Sequence, residues 1–136
     1  MTIILEKDKD QQFGAWLEDC SIEFSGIHTI GQNVEEVTAN VRMLMRNILE
    51  HDFANNPKFA DFNPEEIAFT YRYSLMDFFD TYKDLKINSI AARAGLNASL
   101  VRQYASGAAN ASAAQATKIE NAVHNLARSL LAVSVV

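Results

Sequence analysis

Between Ile87 and Gly107 the sequence INSIAARAGLNASLVRQYASG puts its small and apolar residues where two short helices crossing through a tight turn need them. Such a crossing leaves little room, so the residue at closest approach must be small, and Ala91 occupies that place. Gly95 falls at the turn, where a left-handed backbone is easiest for a residue without a β-carbon. Ile90, Ala94, Leu96, Val101 and Tyr104 take the inward positions, and Ser89, Arg93, Ser99, Arg102, Gln103 and Ser106 the outward ones, with no proline in either helix. Two arrangements meet this spacing: a helix-turn-helix, and a helical hairpin of a bundle that shares the turn. The first is the expectation carried forward.

Changes of hydrophobic period divide the rest of the chain and predict an α+β protein. Thr2 to Lys7 and Phe13 to Glu18 read as strands joined by the polar segment Asp8 to Gln12, and Ile22 to Ile30 supplies a third, partly alternating run, together an antiparallel meander. Asn33 precedes an acid three positions on, Glu36, and Val34, Val37, Val41, Leu44, Met45, Ile48 and Leu49 follow at helical spacing, predicting an amphipathic helix that covers one face of the sheet. His51 to Pro64 reads as a polar loop, and Ile67, Phe69, Tyr71 and Tyr73 alternate as a fourth strand. The first domain, 1–73, thus has a three-strand, helix, strand order. The second, 74–136, reads as wholly helical: Ser74 caps a helix bearing Leu75, Phe78, Phe79 and Tyr82, Asn97 caps the helix that ends at Gly107, and Ser112 caps a long one through Ile119, Val123, Leu126 and Leu130.

Several classes are set aside on composition. A chain of 136 residues that is 49 % apolar with two prolines is globular, and no apolar stretch approaches the roughly 20 residues a bilayer requires, so a cytoplasmic protein without membrane association is expected. Cys20 stands alone, which excludes an intrachain disulfide, and with three scattered histidines it predicts no zinc site and no cofactor. Asp8, Asp10, Glu18 and Asp19 are the early carboxylates to weigh for two-metal nuclease chemistry, yet they fall at strand ends and in a turn; His28, His51 and His124 have no Cys or Ser partner in a recognisable arrangement, and no glycine-rich phosphate loop is present, so no enzyme is expected. Net charge is −5, unevenly spread: residues 1–65 hold 5 Lys/Arg and 12 Asp/Glu, a net of −7, whereas 66–136 hold 7 and 5, a net of +2. From Leu85 onward Glu120 is the sole acid beside 5 basic residues. That asymmetry suits a carboxy-terminal part that approaches phosphate.

If the motif is a helix-turn-helix, the helix from Ala98 to Ser106 enters the major groove of operator DNA with its first turn and a half. Ser99, Arg102 and Gln103 are then the base-reading candidates, since arginine donates twice to guanine, glutamine pairs with adenine, and serine meets either base or phosphate. Asn97, Ser89, Lys86 and Ser106 are better placed for phosphate, setting register without reading sequence. The competing role for Arg102 is a solvated surface arginine. One unit this small binds weakly, so a homodimer or higher homo-oligomer on an inverted repeat is expected. The tail Leu131-Ala132-Val133-Ser134-Val135-Val136 alternates and is rich in β-branched residues. It either leaves the last helix to pair as a strand, with its symmetry mate as one choice, or packs on its own core.

The stretch SIAARAGLNASLVRQYASGAANASAAQATKIENAVHNLARSLLAV resembles a lambda-repressor-like DNA-binding domain of the XRE type. The front half is similar to the HicB antitoxins, through the opening strand with Glu6-Lys7-Asp8, the strand Phe13-Gly14-Ala15-Trp16, Gly31-Gln32-Asn33 before Glu35-Glu36, and the helix from Asn40 to His51. One departure is plain: where many members carry a proline-aspartate-leucine-proline-glycine-cysteine turn after the second strand, this chain has Glu18-Asp19-Cys20-Ser21. The resemblance implies a truncated ribonuclease H-like βββαβ domain that covers a small basic HicA-type toxin, an mRNA-cleaving enzyme, and a carboxy-terminal domain that represses its own operon. The alternative is a stand-alone repressor whose front domain senses a ligand or only dimerises.

Overall fold

In β1 (Thr2–Lys7) and β2 (Phe13–Glu18) the period-two alternation buries Ile3, Leu5, Phe13, Ala15 and Leu17 on one sheet face and turns Ile4, Glu6, Trp16 and Glu18 to the other. Asp8 closes the hairpin between them: its Oδ1 accepts the Asp10 and Gln12 amides at 2.8 and 3.0 Å while Gln11 takes φ 64°. In this computed structural model, which describes residues 1–136, the chain divides into two compact units, Met1–Tyr73 and Ser74–Val136. The protein is α+β, with one small mixed sheet of four strands in the first unit and helices in both.

The sheet order is β3-β2-β1-β4, with β3 (His28–Gly31) antiparallel to β2, and β4 (Thr70–Tyr73) parallel to β1. Helix α1 (Val34–Asp52) lies on the face that carries Ile3 and Leu5 and buries Val37, Val41 and Met45 there. Its start is fixed reciprocally: Asn33 Oδ1 accepts the Glu36 amide at 2.8 Å, and Glu36 Oε2 accepts the Gln32 amide at 2.7 Å. Gly31 allows the sheet and helix to approach, since a β-carbon there would sit 2.9 Å from Val37 Cγ2 and 3.1 Å from the Val37 nitrogen.

Three expectations change here. The run Ile22 to Ile30 is not one strand: Ile22–Phe24 is a 3₁₀ turn, and Phe24 and Ile27 are buried at a spacing of three while Ile22 is 83 % exposed. The strand begins only at His28. The fourth strand is likewise short: it pairs with β1 only from Thr70 to Tyr73, opposite Thr2 to Leu5. Ahead of it the Arg42 guanidinium donates to the Pro64 and Ile67 carbonyls and lies 4.9 Å over the Phe69 ring. Finally, the segment His51 to Pro64 is more than a polar loop. Phe24 stacks on Phe62 at 5.3 Å and meets Phe59 at 5.7 Å, and Asn56 and Asn63 cap two 3₁₀ turns that each begin with proline.

The second unit comprises α2 (Leu75–Thr81), α3 (Ile87–Ala94), α4 (Ala98–Ser106) and α5 (Ala113–Leu131) around Phe79, Ile90, Ala91, Val101, Tyr104, Ile119 and Ala122. Ser74, Asn97 and Ser112 each cap the helix that follows through a side-chain oxygen. A core of this size leaves modest stability to spare. Beyond Leu131 the tail forms neither a strand nor a packed cover: Leu131 is 87 % and Val135 90 % exposed, so packing on its own core is not the arrangement seen. No helix is long and apolar enough to cross a membrane.

Candidate nucleic-acid interface

The pair α3 and α4 owes its geometry to two residues without bulk. Ala91 is buried between the helices, and Gly95, at φ 67°, ends α3 in the left-handed region. That ending lets the Leu96 amide return to the Ala91 carbonyl at 3.0 Å, which satisfies a helix end and turns the chain sharply toward α4. Asn97 then starts α4 by accepting the Ser99 amide on its Oδ1 at 2.8 Å. Val101 and Tyr104 anchor α4 from inside, and the Tyr104 hydroxyl donates to Gln115 of α5. Rigid anchoring of one face presents the opposite face in a fixed orientation.

That opposite face carries Ser99, Arg102, Gln103 and Ser106, all exposed, and Lys86, Ser89 and Asn97 are exposed as well. The structure nevertheless separates their roles. Ser106 is turned to local use, its hydroxyl donating to the Gln103 carbonyl at 3.1 Å where α4 ends. Asn97 spends its side-chain oxygen on the cap, which leaves its amide nitrogen as the group able to meet phosphate. Lys86 precedes the first turn of α3 and makes no side-chain cap, so its ammonium extends from the turn as a point charge.

Arg102 is held on two sides. One terminal nitrogen of its guanidinium donates to Asn88 Oδ1 on α3, and the other to Ser99 Oγ at 3.2 Å on its own helix. Ser99 follows from helical spacing, three residues before Arg102. Asn88 does not: it lies 14 residues away, and only the crossing of α3 over α4 brings it near. No period in the sequence singles it out.

The front unit offers a different surface. Its register aligns Arg72, Ile4, Trp16 and His28 across the sheet on the face opposite α1, with the Trp16 and His28 rings 5.7 Å apart and Ile30 beside them, 64 % exposed. Three of the four carboxylates weighed for metal chemistry are engaged within the unit. Asp8 holds the hairpin, Glu18 pairs with Arg72 at 2.6 Å, and Asp19 accepts from the Thr2 hydroxyl at 3.2 Å. No group of three or more His, Cys, Asp or Glu side chains is placed to hold a metal ion. The chain matches no protein-family model, no curated protein and no solved structure, so its own residues carry the assignment of these surfaces.

Proposed function

We propose that the chain is a two-part regulator: residues 74–136 bind operator DNA as a lambda-repressor-like helix-turn-helix domain, and residues 1–73, a truncated ribonuclease H-like domain of HicB type, bind and neutralise a small basic HicA-type toxin. The observation that carries the DNA half is the outward strip of α4, where Ser99, Arg102 and Gln103 stand exposed on a helix whose other side is locked by Val101 and Tyr104. A short helix so held fits the major groove, and these side chains are donors and acceptors of the kind that read base edges there. The charge supports the same assignment, since Lys86, Arg93, Arg102, Lys118 and Arg128 face one acid, Glu120, from residue 85 onward.

For the front half the support is its net charge of −7 over residues 1–65 together with an open sheet face that mixes Trp16, Ile4 and Ile30 with Glu6 and Glu18. An apolar patch on a domain of net negative charge suits a basic protein partner. The test is purification of the tagged chain from its native host at moderate salt, followed by mass spectrometry and by footprinting on its own promoter. A short basic protein at fixed stoichiometry, toxic when expressed alone, supports the antitoxin half. Promoter protection without any such protein leaves a stand-alone repressor and overturns it. Absence of promoter protection overturns the DNA half.

A further inference from the structure

We infer that Asn88, on the helix that does not enter the groove, determines base specificity by positioning Arg102. The inference rests on the DNA-binding reading of α4. An arginine free to sample its rotamers loses that freedom on docking and accepts more than one hydrogen-bonding geometry. Here two hydrogen bonds restrict that freedom beforehand. Asn88 Oδ1 and Ser99 Oγ each take one N–H from a different terminal nitrogen of the guanidinium. Of the five N–H groups an arginine carries, three are left, one on each nitrogen. Two of these suffice for the O6 and N7 acceptors of a single guanine.

The two anchors act differently. Ser99 lies one turn before Arg102 on α4, so it constrains the rotamer from within the same helix. Asn88 belongs to α3, whose Ile90 and Ala91 are buried in the core, and thus ties the fork to the framework. Removing the Asn88 acceptor should leave the charge of Arg102 in place while loosening its aim. Total affinity would change little and discrimination at one base pair would fall.

The experiment is selection from a pool of randomised DNA duplexes with the full chain, carried out in parallel for wild type, Asn88→Ala, Asn88→Asp and Arg102→Ala, with thermal melts of each. Wild type should enrich a motif containing a guanine whose preference vanishes in Arg102→Ala. Asn88→Ala should lose preference at that same position by about tenfold while binding of unselected DNA is retained. Asn88→Asp keeps an acceptor of the same reach and should restore the preference. Equal enrichment of that guanine by wild type and Asn88→Ala overturns the assignment, as does a loss spread evenly over all positions or a preference that Asn88→Asp fails to restore. If wild type enriches no motif, the DNA reading itself falls, and the role of Asn88 with it.

Discussion

Glu23 and Lys58 show how one pair of residues can fasten a segment that regular structure does not. Their side chains meet at 2.5 Å and join the turn at Ile22–Phe24 to the turn at Pro57–Phe59. The Lys58 ammonium holds the Glu23 carboxyl well below its ordinary 4.5, at about 2. Because the folded state binds that proton less readily than the unfolded chain, the pair stabilises fully above the unfolded value and its contribution is lost as pH falls through the folded one. Glu23→Gln should therefore melt below wild type at neutral pH, and the gap between the two melting curves should close as pH is lowered from about 4.5 toward 2. A gap that stays constant over that range would show that Glu23 acts by packing alone. Arg102, in the DNA-binding role proposed above, would act on a partner outside the chain. Its replacement by alanine should weaken operator binding by about 1–3 kcal/mol at one base position, whereas Lys86→Ala should weaken all sequences alike and lower the salt slope by about one, both read from binding isotherms at several salt concentrations.

Elements differ in how openly the sequence announces them, and the reason is the range of the interactions that shape each one. Helices α1, α2, α4 and α5 are set by local rules, a cap residue at Asn33, Ser74, Asn97 or Ser112 and apolar spacing of three and four, and α3 by its apolar spacing without a side-chain cap, so they could be read directly. The left-handed glycine after α3 is equally local. What escaped were features made by distant partners: Arg42 capturing two carbonyls 22 and 25 residues away, Phe24 packing against Phe59 and Phe62, and Asn88 reaching Arg102. The aromatic residues of the segment 51–64 were visible, but their polar surroundings hid their purpose. Phe24→Ala should cost about 3–5 kcal/mol, since a fully buried ring is replaced by a cavity beneath the loop. Chemical denaturation followed at Trp16 in the same unit measures this, and a cost below 1 kcal/mol would mean that the loop collapses freely into the space. Gly31→Ala should also destabilise, because the Val37 backbone cannot retreat without lifting α1 from the sheet; amide exchange along α1 would rise with it.

At the scale of the whole molecule the charge is uneven, −7 over residues 1–65 against +2 over 66–136, and each of the two units has a small core. The end of α5 is where the second unit is least finished. Leu130, Leu131, Val133, Val135 and Val136 are exposed in succession at the point where the helix ends, and the β-branched residues among them favour an extended chain over a helix. Apolar side chains in that number are costly in water, and a short extended segment can bury them and satisfy its backbone at once by pairing with the same segment of a second copy. A two-fold dimer joined there would present two copies of α4, as an inverted repeat requires, and would multiply weak single-site affinities. Deletion of residues 131–136 should accordingly give the mass of one chain by sedimentation at micromolar concentration, where the full chain gives two, and should reduce operator affinity far more than loss of a single base contact while leaving the melt of the shortened unit cooperative. A dimer mass unchanged by the deletion would remove the tail from the interface and point to the front unit as the site of association.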